Sequence, residues 1–560
     1  MLTKGDMEMN RKILAVIPAR GGSKGIPRKN VKLLGKHPLI YYAINSAQNS
    51  KYVTDVVVTT DSDEILSVAE HLGVDTLLRE ESLAQDNITL DPVVYDAYVR
   101  MERKFHKKYD VVITLQPTSP LLKSETLDLA IESFLQKQLD TMISVKEQRC
   151  LSWSQCNGRF VPNYQERVNR QQLPANYVET GGIFITKADC VKQHTRIGEH
   201  MSVFVLNDIE GIDIDDYSDW WIADKYLKQK NIFIRVDGYR KIGLGHIYRG
   251  LTLANLFAEH NVVFVLKECS DIGINKIRES NYKYIIIQQN EDILDLIDEY
   301  KVDLVINDIL NTEITYMKKL KEKCEKVINF EDLGEGRFLA DMVFNDIYSQ
   351  KNELVNHYYG SEYYCLREEF ILAEPKAMCE EVKNILILFG GTDPCDITQR
   401  ILKIICNEEV YRGIKFTFIL GLGYPHSEEI QKFLLNNKCT SDIEVLVDVK
   451  NISKYMEKAD LAISSQGRTM YELAYMQVPT VLIAQNKRER RHSFGSLENG
   501  FVNLGINDEL EDITIYSTLS WLITCQQIRQ QMKDCMKKKS QELSNGMYKV
   551  KGLIFNEIMK

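Results

Sequence analysis

The sequence predicts an α/β protein in three successive parts, each a parallel sheet with helices on both faces. Three observations carry this expectation. Short β-branched runs alternate with helical patterns along most of the chain, the arrangement that builds parallel sheets. Several of those runs end in glycine-rich turns. A length of 560 residues, set against roughly 150 per domain, implies two to four domains.

Taken in order, the expected strands are ILAVIP (13–18), VTDVVVTTD (53–61), YDVVITLQ (109–116), NIFIRVD (231–237), NVVFVL (261–266), VDLVIND (302–308), NILILFG (384–390), KFTFILG (415–421) and ADLAISS (459–465). Ligands of such sheets gather at the carboxyl ends of the strands, so the residues just after each run are the first candidates for function. Eight of the 12 prolines lie at or before Pro174 and none occurs again until Pro375, a compositional shift between the two ends. The helical stretch SDWWIADKYLKQK (218–230) is followed by a fresh strand at Asn231, and a second break near Ala373 to Glu381 precedes another strand and glycine turn. The expected domains are therefore 1–228, 231–373 and 374–560. No Gly/Ser-rich or Pro-rich linker joins them. Residues beyond about 505, including QQIRQQMKDCMKKKSQELS, read as an amphipathic helix returning over the last domain.

Composition narrows the function. Hydrophobic residues make up 44% and charged residues 27%, which excludes disordered, collagen-like and disulfide-scaffold classes. The net charge of −9, with no run of five like charges, argues against bulk nucleic-acid binding. Twelve cysteines, none before Cys150 and none in a C-x-x-C pair, suggest neither a zinc site nor a disulfide framework and fit reduced thiols in a cytosol. Only five apolar residues, Ile13 to Ile17, follow the N-terminal stretch, too few for a signal-peptide core. No run approaches the roughly 18 apolar residues that span a bilayer. The expectation is a soluble, cytoplasmic protein with no membrane partner.

After the first strand comes ARGGSKGIPRKN (19–30). Gly21, Gly22 and Gly25 let main-chain amides approach a ligand, and Arg20, Lys24, Arg28 and Lys29 place four cations within ten residues. That is an anion cradle, though not with the Walker A spacing of an ordinary P-loop ATPase. LQPTSPLL (115–122) follows another strand, with two prolines stiffening a loop that offers Gln116, Thr118 and Ser119 to a polar ligand. In GIDIDD (211–216), alternation along a strand would put Asp213 and Asp215 on one face and Ile212 and Ile214 on the other. Paired carboxylates there suit Mg²⁺, which takes oxygen ligands plus substrate phosphates; two solvated edge acids are the other reading.

Together with LAQDN (83–87) and RQQLP (170–174), these segments resemble the CMP-nonulosonate synthetases, the cytidylyltransferases that activate sialic acids and related bacterial sugar acids, across residues 12–228. The resemblance implies a Rossmann-like nucleotidyltransferase domain that joins CTP to a nine-carbon 2-keto sugar acid. In that reaction the anomeric hydroxyl attacks the α-phosphate and pyrophosphate leaves. It implies Arg20, Gly21, Gly22, Ser23 and Lys29 at the triphosphate, with Arg20 also catalytic, and Asn30 at the cytidine. Gln116, Arg170, Gln171 and Glu179 would meet the sugar acid, and Asp213 with Asp215 the Mg²⁺. Such synthetases commonly dimerise, so a homodimer is implied as well. The chain departs from the family where Val178 and Glu179 replace the usual R-x-N-G-A lead into the next strand. Loss of a cation and gain of a carboxylate there predict altered acceptor recognition.

The second half opens IFIRVDGYRKIGLGHIYRG (232–250), a strand and then Gly243-x-Gly245-His246 at an expected helix start. Such a turn aims amides and one imidazole at the ligand edge. Tyr248 at the third glycine position excludes the dinucleotide fingerprint. LILFGGTDP (386–394) and SSQGRTMYELAYMQVPTVLIAQN (464–486) each run from strand to glycines to helix. Gly390, Gly391 and Thr392 are candidates for a diphosphate. Glu472 is a candidate for ribose hydroxyls, or else a first-turn acid complementing a helix dipole. GLGHIYR, LREEF (366–370), FGGTD and NISKYM (451–456) resemble GT-B proteins over residues 231 to about 510. They look most like the hydrolases that remove UDP from a 2,4-diacetamido-trideoxy-altrose in pseudaminic acid synthesis. That resemblance implies two Rossmann-like subdomains around a cleft and His246 acting on the attacking water beside Gly245. It further implies UDP held around Gly467, Thr469 and Glu472, Asn486 at the substrate, and no cofactor for this half. Asp237 is expected to orient or tune the site, and Asp308 and Asp332 end strands on the same domain. Ile309-Leu310 stand where the hydrolases carry His-Tyr. A glycosyltransferase or an inactive nucleotide-sugar-binding module remain alternative readings of this half.

Overall fold

The computed structural model describes residues 11–22, 25–85, 87–240, 242–349, 354–406 and 408–558. The chain divides after Gln229 into two compact units. The first carries a seven-stranded sheet made of β1 (Ile13–Pro18), β2 (Asp55–Thr60), β3 (Asp75–Leu78), β4 (Val111–Thr114), β5 (Thr141–Gln148), β6 (Asn176–Lys187) and β7 (Met201–Leu206), in the order β7-β5-β6-β4-β1-β2-β3. The uniformly apolar run of β1 is buried on both faces. Ile13, Ala15 and Ile17 enter one apolar cluster, while Leu14 and Val16 enter another, as period-two alternation requires. The sheet is not wholly parallel as the sequence suggested: β6 runs antiparallel to both β4 and β5. No helix lies between β5 and β6, only a two-stranded excursion at Trp153–Cys156 and Arg159–Pro162 and a short turn at Arg170–Gln172, so the chain returns without the crossover that a parallel pair needs.

A second correction concerns GIDIDD. Residues 211–216 form an extended loop rather than a strand, leading into helix α1 (Tyr217–Leu227). The expected alternation is not kept: Ile214 is buried beside Ile26 and Leu34 with Ile212 packed against the same cluster, but Asp213 is half-buried and Asp215 is exposed. The Ile214 main-chain N–H donates to the carbonyl of Thr118 at 2.8 Å. Asp216 caps α1, accepting from the N–H groups of Ser218 and Asp219 while Asp219 accepts back from the N–H of Asp216.

The second unit holds two parallel sheets. Strands β8 (Asn231–Val236), β9 (Asn261–Lys267), β10 (Lys283–Ile287), β11 (Leu304–Asp308), β12 (Lys326–Phe330), β13 (Met342–Asn345) and β14 (His357–Tyr359) lie in the order β10-β9-β8-β11-β12-β13-β14. Strands β15 (Asn384–Leu388), β16 (Lys415–Leu420), β17 (Asp442–Val447), β18 (Leu461–Ser464), β19 (Thr480–Ala484) and β20 (Phe501–Ile506) lie in the order β17-β16-β15-β18-β19-β20. Two Rossmann-like subdomains facing a common cleft constitute the GT-B architecture. Helix α2 (Gly245–Leu256) follows β8 and helix α3 (Thr469–Tyr475) follows β18. Helix α4 (Gln526–Ile558) is 33 residues long. Its first turns add Met532 to the core of the second subdomain, and its end adds Met547, Val550 and Ile554 to that of the first. Residues 374–560 are thus not one packing unit. Among the described residues no helix is long and apolar enough to cross a membrane. Cys406 and Cys439 form a disulfide, which departs from the expectation of reduced thiols: the fold brings together two cysteines 33 residues apart, a proximity their spacing gave no sign of.

Candidate active sites

In the first unit the candidate residues follow the carboxyl ends of β1, β2 and β4. The glycine loop after β1 is held from two sides. The Gly21 N–H donates to Asp61 Oδ1 at 2.8 Å, and buried Asn30 donates from its side-chain amide to the carbonyl of Arg20 at 2.9 Å. A Cβ on Gly25 would lie 2.3 Å from the carbonyl oxygen of Asp215, so the glycine loop and the GIDIDD loop touch main chain to main chain. Lys29 spans the same contact, donating to the carbonyl of Ile214 at 2.6 Å. Burial pulls its ammonium below the ordinary lysine value, opposed by Asp215 and Asp213 nearby. Burial raises the Asp213 carboxyl, opposed by the neighbouring Thr118 hydroxyl and by Lys29, with Asp215 adding to the rise. Among the described residues Asp213 Oδ1 is buried with no well-aligned hydrogen-bond partner, while Asp215 is exposed. Gln116 packs against Gly181 so closely that a Cβ there would meet its side chain at 3.0 Å. Glu179, on β6, is exposed.

In the second unit a cleft of about 330 Å³ opens between the carboxyl ends of the two sheets, lined by His246, Glu331, Gly391, Arg468, Glu472 and Gln485 among others. His246 Nδ1 lies 2.6 Å from Asp308 Oδ1 at the end of β11. A carboxylate paired this way fixes the tautomer and leaves Nε2 as the ring nitrogen available for chemistry. Arg249, on the same face of α2 one turn later, is fully buried. It donates to Asp308 Oδ2 at 2.7 Å, to Glu331 at 2.6 Å and to Asp346 at 3.4 Å. Arg468, from the other subdomain, donates to Glu331 at 3.1 Å and to Asp346 at 2.9 Å. Burial alone would raise Asp308 and Glu331, but Arg249 and His246 beside them hold both carboxyls below the usual range. Glu331 is held in the left-handed region at φ 52°, a conformation a non-glycine residue keeps only where its surroundings enforce it. Here its side chain is tied to two arginines and its carbonyl accepts from Arg488 at 3.1 Å.

Removing one partner from such a cluster leaves buried charge uncompensated. Arg249→Met is expected to cost about 3–5 kcal/mol of stability, read as a lower denaturation midpoint for the second unit. An unchanged midpoint would mean that the three carboxylates do not depend on this guanidinium.

Residues 14–230 match the family described as "Cytidylyltransferase". The chain is 34% identical over 217 residues to the pseudaminic acid cytidylyltransferase of Campylobacter jejuni, covering 37% of this chain and 93% of that protein. The chain belongs to the cytidylyltransferase family. Beyond the cytidylyltransferase unit, residues 385–546 match "Glycosyltransferase family 28 C-terminal domain". A Helicobacter pylori protein named "Pseudaminic acid cytidylyltransferase and UDP-2,4-diacetamido-2,4,6-trideoxy-beta-L-altropyranose hydrolase" is 25% identical over 504 residues, 86% of this chain and 90% of its own. An uncharacterized protein of Methanocaldococcus jannaschii is 32% identical over 276 residues, 46% of this chain, and the match spans 56% of that protein's length.

Several sequence expectations meet a different role in the structure. In the cytidylyltransferase unit, Ser23 and Lys24 lie outside the described residues. Asn30 directs its amide N–H to the loop carbonyl of Arg20 and so shapes the cradle from beneath. Arg170 and Gln171 are exposed, in a turn whose Gln171 and Leu173 carbonyls accept from Arg149 at 3.4 and 2.8 Å. In the second unit, Asp237 is not at the cleft. Its carboxylate accepts from Arg235 at 2.7 and 2.9 Å, the Lys267 N–H at 2.9 Å and Ser270 at 2.7 Å, so it braces the sheet edge. Asp332 likewise holds Thr312 and Asn329. Glu472 lines the cleft with both oxygens bound by Arg367, at 2.6 and 2.8 Å, and Asn486 lines it with its oxygen accepting from the N–H groups of Arg488 and Glu489. Gly243, Gly245, Gly390, Gly391, Thr392, Gly467 and Thr469 all line it. Gly391 must approach closely, since a Cβ on Gly421 would sit 2.3 Å from its carbonyl oxygen. Glu331 and Asp346 carry no sequence signal, whereas Arg249 and Arg468 sit within the GLGHIYR and SSQGRTMYEL segments, and His246-x-x-Arg249 on a helix start is the spacing that puts two side chains on one face.

Proposed function

We propose that the chain is a bifunctional enzyme of nonulosonic acid biosynthesis. The first unit activates a nine-carbon 2-keto sugar acid with CTP, and the second hydrolyses a UDP-diacetamido-trideoxy sugar. The observation that carries the first activity is the meeting of the glycine loop and the GIDIDD loop at Gly25, Lys29, Asp213 and Asp215. Arg20, Gly21 and Gly22 stand beside it for the triphosphate, and Gln116 and Glu179 for the sugar acid. The anomeric hydroxyl attacks the α-phosphorus, the bond to the β-phosphate oxygen breaks and pyrophosphate leaves. Such transfer depends on positioning and charge neutralisation rather than on a covalent nucleophile.

Asp213 and Asp215 fit Mg²⁺: both donors are carboxylate oxygens, and Asp213 Oδ1 is buried with no well-aligned partner among the described residues. When bound, the ion neutralises phosphate charge. The chain's own part is to hold the two acids beside Lys29 and to keep the glycine loop against them. Gly25→Ala pushes the loops apart at the 2.3 Å contact. A displacement on that scale is expected to cost about 10²-fold in pyrophosphate release, measured at saturating CTP.

For the second activity the carrying observation is the His246–Asp308 pair facing the cleft. Asp308 keeps the proton on Nδ1, so Nε2 takes one from water as its oxygen bonds to the anomeric carbon and the bond to UDP breaks. A cytidylyltransferase fused to a glycosyltransferase is the second reading, favoured by the family 28 match. The test is pyrophosphate release from CTP with pseudaminic, legionaminic and N-acetylneuraminic acids, run beside UDP release from the UDP-diacetamido sugar without acceptor. Turnover in both assays is expected. Absence of pyrophosphate with every acid refutes the first activity, and UDP release that requires an added acceptor favours the transferase.

A further inference from the structure

Beyond His246, two side chains that line the cleft carry hydrogen-bonding atoms with no partner among the described residues. His492 lines the cleft and is 7% exposed. Its Nδ1 lies 2.6 Å from the carbonyl oxygen of Gln466. A carbonyl only accepts, so Nδ1 carries the proton and Nε2 of the neutral ring is an acceptor. Burial pulls the imidazole below its ordinary value, which keeps it neutral. Nε2 is buried with no partner. Gln485 lines the same cleft, also 7% exposed. Its Nε2 donates to the carbonyl of Phe389 at 3.0 Å, which fixes the amide orientation and leaves Oε1 buried, again with no partner.

The two residues belong to one compact turn after β19. The Gln485 N–H bonds Glu489 Oε2 at 2.9 Å, the His492 N–H bonds the Glu489 carbonyl at 2.9 Å, and Gln466 Nε2 donates to the His492 carbonyl at 2.7 Å. The chain therefore holds two acceptors rigidly at the wall of a cleft. An ionised diphosphate offers only acceptors and cannot satisfy them. What can is a group bearing N–H or O–H.

We propose that Gln485 Oε1 and His492 Nε2 form a sugar subsite that accepts hydrogen bonds from an acetamido N–H of the UDP-sugar and so selects amide-bearing sugars. The inference rests on the nucleotide-sugar reading of the second unit. A site built to bond a donor rejects the analogue lacking it, because its own buried acceptors then stay unpaired.

The test is calorimetric binding of UDP and of UDP-N-acetylglucosamine to the full chain, comparing wild type with Gln485→Met and His492→Asn. Asparagine keeps a donor for the Gln466 carbonyl while removing the Nε2 acceptor, so this variant preserves the turn if the other does not fold. Expected is a loss of about tenfold in affinity for the N-acetylated nucleotide sugar in each variant, with UDP affinity unchanged. Undiminished binding of the nucleotide sugar overturns the subsite, as does a loss that is equal for UDP, which would mean these atoms face the nucleotide. If the wild-type chain binds no UDP at all, the nucleotide-sugar reading itself fails, an outcome distinct from the other two.

Discussion

Replacing His246 by alanine is expected to lower UDP-sugar turnover by about 10²–10⁴-fold, the range of a positioned general base, while pyrophosphate release by the first unit stays at the wild-type rate. The contrast between the two assays confines the loss to the second unit, and unchanged UDP binding by the variant separates lost chemistry from a misfolded unit. The expectation follows from the geometry around the ring. Asp308 holds Nδ1 at 2.6 Å and is itself clamped by Arg249, so the imidazole is fixed in one tautomer. Asp308→Asn should lower kcat with little change in KM for the UDP-sugar, because it disturbs the base rather than the binding surface around Glu472. Wild-type turnover in His246→Ala would take the imidazole out of the chemistry and place the base elsewhere in the cleft.

The second large effect concerns the paired acids. Asp213→Asn combined with Asp215→Asn is expected to remove Mg²⁺-dependent pyrophosphate release, a loss of at least about 10²-fold for several kcal/mol of phosphate-charge stabilisation. The change is nearly isosteric, and Ile214, the buried anchor of the loop, is untouched. The loop should therefore remain against Gly25. UDP-sugar turnover by the same protein is the internal control. Retained release would move the metal elsewhere, and titration of Mg²⁺ against CTP turnover in the double variant reads the difference directly.

Much of this was legible in the sequence for a simple reason. Strands buried on both faces are written as unbroken apolar runs, and β1, β8 and β15 each end at glycines that the carboxyl edge of a sheet requires. What sequence order hides is contact between distant segments. Asp308 meets Arg249 across 59 positions and Asp346 meets it across 97, and no spacing rule reaches that far. Asp237 shows the converse. It sits where a functional acid would sit, but Arg235 lies two residues earlier on the same strand face, and period two pairs them. GIDIDD reads as a strand and folds as a loop, because the apolar pocket that takes Ile214 holds a loop as well as a neighbouring strand can.

The long C-terminal helix has a consequence for how the protein is made. Domains generally complete themselves in the order in which they leave the ribosome, yet the subdomain that carries His246 draws Met547, Val550 and Ile554 into its core from the last turns of α4. Its strands, residues 231 to 359, emerge well before the side chains at 547 to 554 that seal them. A nascent chain can finish the cytidylyltransferase half early, whereas the His246 half waits for residues 547–554. A premature stop codon just before Met547 would thus spare the N-terminal activity and strike the subdomain whose own strands were translated long before.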